Sequence, residues 1–113
     1  MAEQWSPEFL GEEEFVLLTR LCRGEEVRCD DPEILSWLGS CGVEFDHVRN
    51  RLLETRLVAS SGKSLKLITK KCQLAILPTG EYIAAENSTG RLDRWISRRI
   101  DALRRRASDE GSV

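Results

Sequence analysis

The sequence has few of the residues that build metal centres and disulfide scaffolds. It contains one histidine, His47, and four cysteines, Cys22, Cys29, Cys41 and Cys72. The cysteines form no CxxC pair, and their spacing matches no familiar zinc site. We therefore expect no metal, no cofactor and no disulfide, with most of the thiols buried as small apolar side chains and kept reduced.

Long apolar runs and a leader pattern are also lacking. Although 41% of the 113 residues are apolar, no apolar run exceeds four residues, whereas a membrane-spanning helix needs about 20. Glu3 stands where a secretory signal would carry basic residues followed by an apolar core. These features predict a single soluble, cytoplasmic domain with no membrane association.

No combination of residues predicts catalysis. Ser61 and Cys41 have no recognisable base partner, and Gly62-Lys63-Ser64 lacks the earlier glycine of a phosphate-binding P-loop, because Leu57 occupies that position. Acidic runs such as Glu12–Glu14 are explained by favourable interactions with a helix N-terminus. We predict that the protein is not an enzyme.

The charge distribution is lopsided, although the net charge is only −2. Residues 1–41 contain 3 Arg and 10 acidic residues, whereas residues 42–113 contain 14 Lys or Arg and 9 acidic residues. A basic half can bind phosphates while an acidic half keeps the chain in solution. The alternative is that these charges cover ordinary solvated helix faces.

Three helices are predicted in the first half of the chain. Ser6-Pro7-Glu8 combines a cap, a proline and an acid, which predicts a helix to about Arg23 that Gly11 could split. Asp31-Pro32-Glu33 repeats this pattern before a glycine-bearing turn. A third helix follows over about 43–55, and residues 27–29 form a short strand.

The second half predicts a basic hairpin. Strands are expected over 57–60, 65–69 and 72–77, with a turn at Ser61–Ser64 and a helix starting near Pro78. A hairpin with a lysine in its turn is suited to lie along a phosphate backbone. It is equally typical of a surface hairpin whose edge lysines discourage aggregation.

This order resembles the winged helix-turn-helix family over about residues 9–86. The resemblance is carried by Phe45, Val48 and Leu52 on the third helix, by the step Arg56-Leu57-Val58, and by the segment 76–82, ILPTGEY. It implies an α+β, mainly helical fold, a winged helix-turn-helix with a small antiparallel β-wing and an added C-terminal amphipathic helix. Arg56 stands where the family has glycine, so we expect this helix to end without a left-handed residue.

The resemblance implies that double-stranded DNA is bound by the third helix and the wing. Helix residues would approach base edges or nearby phosphates, and wing lysines would contact the backbone. The candidate DNA-binding residues are His47, Arg49, Asn50, Arg51, Lys63, Lys66, Lys70 and Lys71.

Residues 91–106 predict a basic amphipathic helix. Its apolar stripe consists of Leu92, Trp95, Ile96, Ile100 and Leu103, with further basic contacts from Arg98, Arg99 and Arg104. The stripe is suited to homodimerisation, to packing on the chain's own core, or to a membrane-surface or calmodulin-type role. The expected organisation is a winged-helix domain over 1–87, this helix over 88–106 and a disordered tail over 107–113.

Two functions are compatible with these patterns. The first is a dimeric winged-helix transcriptional regulator that binds DNA. The alternative is a small non-enzymatic interaction protein, such as a phage-type inhibitor or adaptor, that binds a protein or nucleoprotein complex. The acidic N-terminal half, which could imitate phosphate, and an anchor at Trp5 favour the alternative.

Overall fold

The computed structural model describes residues 5–87 and 89–111, without the side chains of 107–111. Within that part of the chain it contains four helices and six strands. The helices are α1 (Glu12–Cys22), α2 (Pro32–Ser40), α3 (Phe45–Glu54) and α4 (Arg91–Gly111). The strands are β1 (Glu8–Leu10), β2 (Val27–Arg28), β3 (Val58–Ser61), β4 (Ser64–Leu67), β5 (Cys72–Ile76) and β6 (Tyr82–Glu86).

The strands form two antiparallel sheets, each with three strands in the described residues. Sheet A has the order β1-β6-β5, and sheet B has the order β2-β4-β3. The predicted fold class, a mainly helical winged helix with one small β-wing, is therefore wrong. The fold is α+β with two sheets, because β5 pairs with β6 in sheet A and does not join β4.

The predicted start of the first helix is wrong. Residues 8–10 form β1, in which Phe9 lies opposite Ile83 of β6, and the helix begins only after Gly11. The Glu14 carboxylate accepts a hydrogen bond from the Gly11 N–H at 3.3 Å, which satisfies a free donor at the helix start. Pairing with a strand more than 70 residues away therefore overrides the local cap signal at Ser6.

The helix predicted after Pro78 is also wrong, because this segment turns back as β6. The Gly80 N–H donates to the Leu77 carbonyl at 2.8 Å, and the Leu77 N–H donates to the Glu81 carbonyl at 2.9 Å. Gly80 adopts a φ of 88°, which glycine reaches without steric cost. The reversal places Tyr82–Glu86 directly beside β5.

Other predicted elements are confirmed. The Asp31 side chain accepts from the Glu33 N–H at 2.9 Å and caps α2. Helix α3, the short strand β2 and the β3–β4 hairpin are present within one or two residues of their predicted bounds, and the predicted C-terminal helix begins at Arg91 as expected. Helix α4 continues through Gly111, beyond the predicted end at residue 106, and residues 112 and 113 lie outside the described part.

The apolar residues form two cores on opposite faces of sheet A. The main core joins α1, α2, α3 and sheet B, and it includes Leu17, Leu18 and Leu52, which are fully buried. The second core joins sheet A to α4 through Ile83 and Leu92. Alternation along β6 explains the division, since successive residues of a strand point to opposite faces.

Asn87 holds the start of α4 against sheet A. Its side-chain oxygen accepts from the Leu92 N–H at 3.0 Å, and its amide nitrogen donates to Asp93 at 3.2 Å and to Gln73 of β5. Helix α4 is about 31 Å long for its 21 residues. No helix of the described residues combines the length and apolarity needed to cross a membrane.

Candidate nucleic-acid interface

The arginines of the predicted reading helix, α3, are engaged by carboxylates. Arg49 Nη2 lies 3.3 Å from Asp46 Oδ1, and Arg51 Nη1 lies 3.7 Å from Glu54 Oε2. Arg51 Nε also lies 3.5 Å from Glu14, the buried carboxylate that caps α1. Arg51 therefore helps to join α3 to α1, and a phosphate would have to compete with carboxylates already in place.

His47 and Asn50 complete the predicted reading face, and both are exposed. Asp46 and Glu54 on the same helix are more exposed than the arginines that they pair with. The face therefore presents mixed charge to solvent. Such a surface attracts phosphate only weakly, because the exposed carboxylates offset the guanidinium groups.

The four predicted lysines do not form one wing. Lys63 occupies the β3–β4 turn, where its Nζ lies 3.9 Å from Asp30, and Lys66 is exposed on β4. Lys70 and Lys71 are exposed in the connection from sheet B to sheet A. The four lysines were predicted to lie on one wing because the sequence does not show that β4 and β5 belong to different sheets.

The predicted dimerisation stripe is largely used inside the chain. Leu92 is fully buried, and Trp95 and Ile96 pack in the second core. The Trp95 ring also meets Phe9 edge to face, with centroids 6.1 Å apart. Ile100 and Leu103 lie farther along the helix and belong to neither core.

The opposite face of α4 carries a row of arginines that we call the arginine ridge: Arg91, Arg94, Arg98 and Arg105. At 3.6 residues per turn these positions fall on one side, facing away from Leu92, Ile96 and Leu103. All four are exposed, and within the described residues none lies within 4.0 Å of a carboxylate. The ridge extends over about 21 Å at 1.5 Å per residue. Among the residues of α4 whose side chains the structure describes, Asp101 is the acid that shares its side.

The other predicted basic residues of α4, Arg98 excepted, lie off the ridge. Arg99 is adjacent to the apolar stripe and lines a small cavity with Leu103. Arg104 projects from the flank of the helix, and both are exposed. The C-terminal half of α4, beyond the second core, therefore carries arginines around its circumference.

A cavity of about 420 Å³ lies where the N-terminal segment, the end of α3, the end of β6 and the start of α4 meet. Its lining includes Trp5, Glu8, Arg56, Glu86 and Arg91. The Arg91 guanidinium carbon lies 5.4 Å from the centroid of the Trp5 ring, a cation–π contact. The sequence did not reveal this site, because its residues come from four distant segments.

Arg56 enters this cavity from a left-handed backbone. Its φ is 62°, so the expectation that the helix would end without such a residue is wrong. The Thr55 hydroxyl donates to the Leu52 carbonyl at 2.6 Å and accepts from the Leu57 N–H at 3.2 Å. These bonds hold the corner in a shape that a glycine would have adopted more easily.

The thiols differ from the expectation of buried side chains. All four are free, with Cys22 and Cys41 exposed and Cys29 and Cys72 half-buried. The thiols of Cys22 on α1 and Cys72 on β5 are close enough to influence each other's pKa. Desolvation, with a smaller contribution from Cys22, raises the pKa of Cys72 to about 12, and desolvation also raises the pKa of Cys22.

Comparison with protein-family models, with curated proteins and with solved structures found no match for this chain. The resemblance to winged helix-turn-helix proteins therefore has no support from these comparisons.

Proposed function

We propose that this protein binds double-stranded DNA through the phosphate backbone, with the arginine ridge of α4 as the principal contact. The observation that supports this is the row of four exposed arginines without carboxylate partners in the described residues. Guanidinium groups match phosphate oxygens in a bidentate geometry and stay charged at all relevant pH values. A row of such groups on a rigid helix is well suited to follow a charged backbone.

The proposed binding is tolerant of sequence. Phosphate contacts position a protein on the duplex, whereas contacts to base edges specify sequence. Helix α3 supplies His47 and Asn50 for base contacts, but its arginines meet carboxylates. Lys70 and Lys71 add backbone contacts. A DNA-binding protein of low sequence preference fits this surface better than a sequence-reading transcriptional regulator.

We propose that the protein acts in the cytoplasm. The four free thiols include two exposed ones, and free thiols persist in reducing compartments. We propose that the protein acts there as a monomer, because three of the five residues predicted to form a dimer pack inside the chain.

A salt titration with random-sequence duplex tests the proposal. The ridge variant is Arg98→Gln/Arg105→Gln. The matched control is Arg20→Gln/Arg23→Gln, which removes the same charge from the first half of the chain at arginines that, within the described residues, also lie farther than 4.0 Å from any carboxylate. Each lost phosphate contact lowers the slope of log affinity against log salt by about 0.9. We expect the ridge variant to lose about two units of slope and the control to retain the wild-type slope within about half a unit.

Two results would contradict DNA binding through the ridge. One is equal loss in the ridge variant and the control, which would show that only overall charge matters. The other is no binding even at low salt. The second result would favour the alternative of a protein-binding module, whose support is the acidic first 41 residues together with Leu35, which α2 leaves 42% exposed.

A further inference from the structure

We propose that the cavity between Trp5, Arg56 and Arg91 binds one nucleotide of a nucleic-acid strand, through its phosphate and its base. The volume of about 420 Å³ lies within the range of small-molecule sites. The inference rests on the proposed function, because Arg91 belongs both to the arginine ridge and to the cavity. A backbone lying along the ridge would therefore lead into the cavity, which would take an unpaired nucleotide such as one at a duplex end, because a base inside the duplex is already stacked.

Charges of both signs line the cavity without forming close ion pairs among the described residues. Arg56 and Arg91 lie on its wall with Glu8 and Glu86, yet no pair among these described residues comes within 4.0 Å. A simple anion would be attracted by the arginines and repelled by the glutamates. A nucleotide satisfies both, because its phosphate accepts from guanidinium and the amino group of its base donates to a carboxylate.

Trp5 supplies the surface that a base requires. Its indole is half-buried and packs against the second core. Stacking on aromatic side chains is the sequence-tolerant way in which proteins bind exposed bases. Arg91 already contacts this ring, which places a phosphate ligand beside the stacking surface.

The backbone at Arg56 is strained in a way that serves such a site. A side chain with a Cβ rarely adopts a φ of 62°, and residues held in this way cluster at ligand sites. The bonds of the Thr55 hydroxyl fix the corner from both sides. The strained corner presents the Arg56 side chain at the cavity wall, opposite the start of α4.

Nuclear magnetic resonance with adenosine 5′-monophosphate tests the proposal. The reporter is the indole N–H signal of Trp5, assigned by its disappearance in Trp5→Phe. We expect a saturable shift of this signal and no shift of the Trp37 indole. Arg56→Gln should weaken binding roughly ten-fold, as loss of a charge-assisted hydrogen bond does. Arg23→Gln, at an exposed arginine that belongs to neither the cavity nor the ridge, is the matched control and should bind the nucleotide as the wild type does.

A second variant separates loss of binding from loss of folding. Arg56→Gly lacks the guanidinium but suits the left-handed corner, so it should fold and still show the ten-fold loss. An unmoved Trp5 signal, full affinity in both Arg56 variants, or equal affinity for inorganic phosphate would each overturn the nucleotide site. If these occur while duplex binding still depends on Arg98 and Arg105, the cavity proposal alone fails. If the protein does not bind the duplex but the nucleotide shifts the Trp5 indole signal, the proposal of DNA binding through the ridge is wrong and the proposal of a nucleotide site is retained.

Discussion

At Arg56 the chain accepts a conformation that its side chain disfavours. Left-handed backbone costs a residue with a Cβ roughly 1–3 kcal/mol, and the surrounding corner has to supply that free energy. The sequence showed the mismatch, since arginine stands where a glycine would suit the turn. The sequence could not show whether Arg56 would adopt the left-handed conformation or whether the chain would turn in another way.

Arg56→Gly should therefore stabilise the fold. Relief of the left-handed strain exceeds the extra unfolded-state entropy of glycine, so the free energy of unfolding should rise by about 0.5–1 kcal/mol. Urea denaturation followed by circular dichroism measures the change. Arg56→Ala is the control, because it removes the same long side chain but keeps the Cβ and the strain. If Arg56→Ala proved more stable than Arg56→Gly, only the unfolded-state entropy of glycine would separate them, and the corner would carry no strain.

The Cys72 thiol makes stability depend on alkaline pH. Its pKa is raised from 9.0 to about 12 by desolvation, with repulsion and a hydrogen bond from Cys22 adding to it. The folded protein thus keeps a proton that the unfolded chain releases, so this contribution is fully present below pH 9 and is lost as pH rises towards 12. Cys72→Ala should show a shallower decline of unfolding free energy between these values. Cys41→Ala, at an exposed thiol, should decline as the wild type does.

At the scale of elements, local signals predicted some of the structure well. The cap at Asp31, the apolar face of α3 and the stripe of α4 each lie within one segment, and each element formed as predicted. Strand β1 was missed because it is stabilised by pairing with β6 across the length of the chain. Strand β6, which also pairs locally with β5, was missed because the segment after Pro78 was predicted to be a helix. Of the four ridge arginines only Arg98 was among the predicted contacts, although their helical spacing is present in the sequence. The cavity depends on four segments that only the fold brings together.

Helix α4 should be anchored by its first turns only. Leu92 is fully buried against sheet A, so Leu92→Ala should lower the free energy of unfolding by about 2–4 kcal/mol. Leu103 lies outside both cores, and Leu103→Ala should cost less than about 1 kcal/mol. Thermal and urea unfolding of the two variants measure the difference. Similar losses would mean that the far half of α4 is packed as firmly as its start.

At the scale of the whole molecule, the protein is elongated, and its exposed arginines on α4 are separated from its acidic first 41 residues. The radius of gyration is 16.5 Å, compared with about 13 Å for a compact chain of this length, and the longest extent is 54 Å. The acidic first 41 residues contribute α1 and α2 to the body, whereas the arginine ridge lies along α4. A polyanion should therefore approach from the side of α4, with the acidic body directed away.

The same arrangement argues against pairing of two chains through α4. Beyond the second core the stripe offers only Ile100 and Leu103, far less than the 1,000 Å² or so of buried surface that a stable interface requires. In such a dimer Arg99, beside the stripe, would face Arg99 of the second chain, and Arg104 would lie at the edge of the contact. Coulomb repulsion between these arginines would further disfavour an interface that already buries too little surface. We expect light scattering coupled to size exclusion to give the 12.9 kDa mass of one chain at tens of micromolar, in both low and high salt. A mass near twice that value, reduced to one chain by Ile100→Asp, would instead establish the dimer that the sequence predicted.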